Sequence, residues 1–215
     1  MEAFEYSLAG VVLLITFWLL IARRVRGAIN GYAFQSIVLA AIAGATYLQS
    51  FRLHLLLLAT SSLVIKGVVI PLVLRRQIRA TVYDKRETHY YVGFPTALLI
   101  GMLLAIVGFV AANQLAITKD LLGQPVSGVA IAVVLIGFFI AVARSDAVMQ
   151  LTGLLVAENG LLLLGLVLSA GLGLLIDFAL LLDVLVGALV MGFLIARMNS
   201  TIMSTDTGEL TRLRG

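Results

Sequence analysis

Residues Ala147 to Ser169 read AVMQLTGLLVAENGLLLLGLVLS, an apolar run with a single ionisable side chain, Glu158, at its centre. A helix needs about 20 predominantly apolar residues to span the hydrocarbon core of a bilayer. The run therefore predicts a transmembrane helix with an acid at mid-membrane depth. The next run, Leu174 to Ala196, reads LLIDFALLLDVLVGALVMGFLIA and places Asp183 midway and Asp177 near its start. Lys66 sits inside a third, SSLVIKGVVIPLVL, from Ser61 to Leu74. A charge at the bilayer centre costs about 2.5–3.5 kcal/mol on insertion scales, so such residues mark ion or proton pathways or their partners.

Composition agrees with that reading. The chain has 215 residues, 61% hydrophobic and 12% charged, with a mean hydropathy of +1.11. Soluble domains are about 45–50% apolar and about 25% charged. The fold class expected is an all-α integral membrane protein in contact with lipid over much of its surface. The first apolar run lacks the basic segment that precedes a cleavable signal sequence, since its cations follow it. There are no cysteines, which excludes disulfides and cysteine-ligated iron–sulfur clusters. The two histidines, His54 and His89, flank different runs at opposite ends, against a bis-histidine haem. No cofactor, metal site or catalytic residue is expected of this chain.

Seven runs are long enough to span, at about 6–22, 32–49, 53–74, 94–113, 126–143, 147–169 and 174–196. With seven spans, alternate connections share a side. One side then collects Arg23, Arg24, Arg26, Arg75, Arg76, Arg79, Lys85, Arg86, Arg144, Arg197, Arg212 and Arg214, and the other only Arg52 and Lys119. The positive-inside rule puts the N-terminus outside and the C-terminus inside. The net charge of +4 thus reads as membrane orientation, and no nucleic-acid partner is expected. Small residues at helix-packing spacing, such as Ala40 and Gly44 or Gly108 and Ala112, allow close helix approach.

Burial penalises a charged carboxylate and a nearby cation favours it, so a mid-membrane acid can be poised to exchange protons. Glu158, Asp183 and Lys66 form the expected proton path, with Glu158 one candidate partner for Lys66. Gln150, eight residues before Glu158 and about 80° away around a helix, would extend the polar line inward. Asp177, about 120° from Asp183, is a candidate proton exit, balanced against a carboxylate near a helix N-terminus. His54, at the outer end of the third run, reads first as an interfacial histidine and second as a path residue. Pro71 is expected to kink the end of that helix. The polar stretch from Arg75 to Tyr91, RRQIRATVYDKRETHYY, reads as an inner loop that docks a partner.

The last three spans resemble the K subunit of bacterial complex I and the C subunit of Mrp-type antiporters. In those families a short basic turn leads into a helix reading G-L-E-x-x-x-N, and the next helix carries a second mid-membrane acid. The matching positions are Arg144-Ser145-Asp146, then Gly153 to Gly160 with Glu158 and Asn159, then Asp177 to Gly187 with Asp183. Here the first acid stands three residues later than in the plain motif, and the second is Asp in place of Glu. Most of the chain, including IKGVVIPLVLRR at Ile65 to Arg76 and QLTGLLVAENG at Gln150 to Gly160, resembles component E of hydrogenase-4 and related formate hydrogenlyase membrane arms.

That resemblance implies two segments, a four-helix part over 1–125 and a K-subunit-like part over 126–215. It also implies a non-catalytic subunit of an oxidoreductase, a group 4 membrane-bound [NiFe]-hydrogenase or related assembly in the prokaryotic plasma (inner) membrane. Its partners would be antiporter-like subunits and an anchor subunit, with Glu158 and Asp183 as proton stations. The alternative is a subunit of an Mrp-like cation/proton antiporter with no redox partner. A purely structural membrane anchor is disfavoured by the intramembrane acids.

Overall fold

A computed structural model describes residues 2–51, 53–79, 92–114, 123–168 and 187. The described residues are helical apart from short connections. Helix α1 covers Glu2–Ile21 and α2 covers Val25–Ser50. A continuous rod follows, made of α3 (Leu53–Ser61), a π-helical stretch (Ser62–Val69) and α4 (Ile70–Arg79). Then come α5 (Phe94–Gln114), α6 (Gly123–Ala143) and α7 (Ala147–Leu168). Five helical segments are long and apolar enough to cross a membrane, Val25–Leu48, Leu55–Arg76, Phe94–Gln114, Pro125–Ala143 and Val148–Leu168, and Tyr6–Ile21 is a shorter apolar helix. This is the make-up of a multi-pass helical membrane protein. The expected seventh span, 174–196, lies outside the described residues.

Two elements depart from the hydropathy reading. The second helix begins at Val25, well before the apolar run at 32, and Gly31 lets its first turns pack on α1. A Cβ on Gly31 would run into the Trp18 ring and fall 2.9 Å from Leu19. The third rod does not stop at 74, where its apolar run ends. It runs on to Arg79, and the irregularity lies upstream, where the Ile70 N–H bonds to the Ile65 carbonyl in π register. Proline at 71 cannot donate to the Gly67 carbonyl and its ring crowds that oxygen. A widened turn just before it relieves this crowding, and π turns occur mostly as such local insertions.

The core lies among α1, α2, α6 and α7, where Leu19, Ile29, Tyr32, Leu39, Ile136 and Leu155 are fully buried. Close approach of α6 and α7 rests on glycine. A Cβ on Gly160 would stand 2.7 Å from the Val134 nitrogen, and one on Gly153 would meet the backbone of Gly137 and Ala141. At one end of the bundle, contacts draw several connections together. The Arg23 guanidinium lies 5.9 Å from the centroid of the Phe94 ring at the start of α5. Arg75 donates to Asn30 Oδ1 at 2.7 Å, tying α4 to α2.

The α6–α7 turn reaches the same end, and its Arg144 and Asp146 serve two helices. Arg144 is fully buried. Its Nη2 donates to the carbonyls of Leu20 (2.9 Å) and Ala22 (2.8 Å), at the end of α1. The terminal carbonyls of a helix have no intrahelical donor, and an arginine fork supplies one with a charge that suits the negative end of the dipole. Asp146 Oδ1 accepts from the Val148 N–H at 2.9 Å, capping α7. Arg144 thus belongs to the side that the charge count gave it, but as a buried latch and not as a solvated loop cation.

Candidate functional site

Lys66 and Glu158 meet in the interior. Lys66 Nζ lies 3.0 Å from Glu158 Oε1, and the two side chains are 1% and 4% exposed. The π-helical stretch carries Lys66, with Ser62 and Gly67 buried beside it. Gly67 faces α2, where a Cβ would lie 3.3 Å from a side-chain carbon of Ile37. Glu158 comes from the centre of α7, so the pair joins elements 92 residues apart in sequence, on either side of position 125.

A connected set of polar side chains surrounds the pair. Asn159 Oδ1 accepts from Lys66 Nζ at 3.5 Å. Asn159 Nδ2 donates to Gln35 Oε1 (3.1 Å) and to Ser36 Oγ (3.2 Å) on α2. Gln35 Nε2 donates in turn to Thr16 Oγ1 on α1 at 2.8 Å. The hydroxyls of Thr16 and Ser36 donate to the carbonyls of Val12 (2.8 Å) and Tyr32 (3.0 Å) one turn back on their own helices. Ser62 Oγ donates to the Ser36 carbonyl at 3.3 Å. Thr16, Gln35, Ser36, Ser62 and Asn159 are all buried. Four helical rods therefore contribute to one connected polar layer in the interior.

Energetics bear on what such a layer is for. A buried ion pair is weak evidence for stability, because desolvation of both charges offsets their attraction and an apolar pair of similar volume does as well or better. Breaking it by removing one partner, however, leaves a charge without compensation. Chemically, the layer presents one group that holds or gives up a proton as a carboxylic acid, one that does so as an ammonium, and amides that orient both.

The sequence-derived site residues fall into three groups. Lys66 and Glu158 are brought together. Gln150 stands apart from them, with its amide donating to the Arg144 carbonyl at 2.8 Å near the start of α7. His54 lies in the first turn of α3, whereas Asp177 and Asp183 lie outside the described residues. Among the described residues, no group of three His, Asp or Glu side chains is placed to hold a metal ion. Sequence reasoning missed Thr16, Gln35 and Ser36. The adjacent Gln35-Ser36 pair, polar in the middle of a spanning run, was the available signal.

Comparisons with known proteins reach almost the full chain. It is 29% identical over 208 residues to an uncharacterized protein of Mycobacterium tuberculosis, covering 96% of this chain and 94% of that one. It is 24% identical over 210 residues to Hydrogenase-4 component E of Escherichia coli K12, covering 97% of this chain and 96% of the relative. The protein of the same description from Shigella flexneri gives the same identity and coverage. No family profile matches the chain, and no solved structure matches it.

Proposed function

We propose that this chain is a non-catalytic membrane-arm subunit of a hydrogenase-4-type or related complex I-like assembly, and that Glu158 and Lys66 form a station on its proton or ion path. The observation that carries the reading is the buried pair, 3.0 Å apart and set in a polar layer within the spanning region. A layer of that kind is costly in a membrane and is the usual mark of ion or proton traffic. The near-full-length similarity to Hydrogenase-4 component E supplies the type of assembly. Asp183, on the next apolar run, is the second acid of the path, with Asp177 as its outlet. The partners are antiporter-like subunits and an anchor subunit in the inner membrane.

The test is Glu158→Gln in vesicles carrying the whole complex. The amide is nearly isosteric but cannot take up the proton and leaves the Lys66 charge without its carboxylate, so assembly of the complex is checked first, and in the assembled complex protons moved per electron are expected to fall severalfold. An unchanged ratio would leave Glu158 as a buried acid with no part in transport.

The same reading carries seven spans, with the N-terminus outside and the C-terminus inside. The twelve-to-two distribution of cations supports it. A reporter active only outside the inner membrane, fused after Arg214, is expected to be silent, and strong activity would overturn the orientation.

A further inference from the structure

Each hydrogen bond leading toward Lys66 has a fixed direction. The Thr16 hydroxyl has one proton, and it is committed to the Val12 carbonyl, which can only accept. The oxygen facing Gln35 is therefore an acceptor, and the Gln35 atom beside it has to be the amide nitrogen. Gln35 Oε1 is then turned toward α7 and accepts from Asn159 Nδ2. Ser36 enforces the same orientation, because its proton is committed to Tyr32 and its oxygen accepts from the same nitrogen. With its nitrogen held on two acceptors, Asn159 has its carbonyl oxygen left for Lys66.

We propose that Thr16, Gln35 and Asn159 are positioning residues that turn an acceptor oxygen toward Lys66, fix its Nζ facing Glu158, and close the α1 side of the layer to proton transfer. The layer accepts where Lys66 donates, and nowhere along this chain of bonds does an acceptor stand ready to take a proton onward. Amides do not ionise in this range and both hydroxyl protons are committed, so this arm orients without conducting. Protons exchanged by the pair enter and leave by another side. Among the described residues, α6 carries no charged side chain, and the one charge on α2, Arg26, is exposed near that helix's start.

This inference concerns the site proposed above, but its test does not depend on transport. The full chain in lipid vesicles is titrated by infrared spectroscopy, with the protonated-carboxyl band of Glu158 assigned by its loss in Glu158→Gln. Gln35→Met and Thr16→Val each remove the imposed orientation without adding charge, and Thr16→Val is nearly isosteric. In both, the band is expected to persist about one pH unit higher than in the parent, a tenfold change in proton concentration, as for loss of a hydrogen bond to a charged group. Thr16→Ser, which keeps the hydroxyl, is expected to restore the parent midpoint. An unchanged midpoint in Thr16→Val, or a shift that Thr16→Ser also shows, overturns the proposal. A shift as expected, together with unchanged proton transport in Glu158→Gln, would retain the positioning role and reject the path.

Discussion

Helices α5 and α7 have nearly the same length and both are apolar enough to span, yet 22% of the apolar window of α5 is buried inside the chain against 67% of that of α7. The more apolar helix is the outer one. Along α5 the buried positions are small, Ala97, Gly101, Gly108 and Ala112, while Leu99, Met102, Leu103, Ile106 and Val110 point outward. Along α7 the buried positions include Thr152, Glu158 and Asn159. In lipid, apolar side chains gain nothing by turning inward, so close backbone approach and interhelical hydrogen bonds decide what is inside. The comparison teaches that in these two helices apolarity does not decide what lies inside: small residues on α5 and polar side chains on α7 mark the faces that pack against protein.

The sharpest way to break that contrast is at the pair. Lys66→Met leaves Glu158 facing an apolar neighbour and is expected to cost about 3–5 kcal/mol in detergent-driven unfolding of the lipid-embedded chain. Lys66→Met combined with Glu158→Met should recover most of the loss. A double variant as unstable as the single one would mean that the two charges do not act as a unit. Glycine contacts come next. Gly153→Val drives a side chain into the backbone of α6 and is expected to cost about 1–3 kcal/mol, the usual range for overpacking. A neutral result would show that α6 and α7 are not held by close approach. The smallest effect belongs to α5, where Leu103→Ala is expected to change the stability of the isolated chain by less than about 0.5 kcal/mol. A larger loss would place Leu103 against protein and not lipid.

What the sequence made legible was what a bilayer makes expensive. Glu158 and Lys66 stood out because each is ionisable inside an apolar run, and the described spans fall close to the hydropathy runs for the same reason. The rest depended on tertiary contacts. Gln35 and Thr16 are neutral and small enough to be tolerated in many spanning helices, and their roles come from neighbours 19 and 124 residues away. Arg144 was read as one more loop cation because charge counting assigns sides and says nothing of burial. Asp146, directly before an apolar run, carried an ordinary capping signal. The π turn leaves no trace in the periodicity of a run that is apolar all round. The α2 start was obscured by Arg24 and Arg26, whose charges read as loop although the backbone there is already helical or about to become so.

The Arg144 latch also sets an order of events during synthesis. A chain enters the membrane from its N-terminus, so the carbonyls of Leu20 and Ala22 emerge first, and their donor follows 124 and 122 residues later. Over that interval water at the membrane surface has to serve those oxygens. The end of α1 thus gains its donor only after α6 has been made. A chain truncated before Arg144 would leave the end of its first helix waiting for a donor that never arrives, which gives quality control in the cell a specific lesion to recognise.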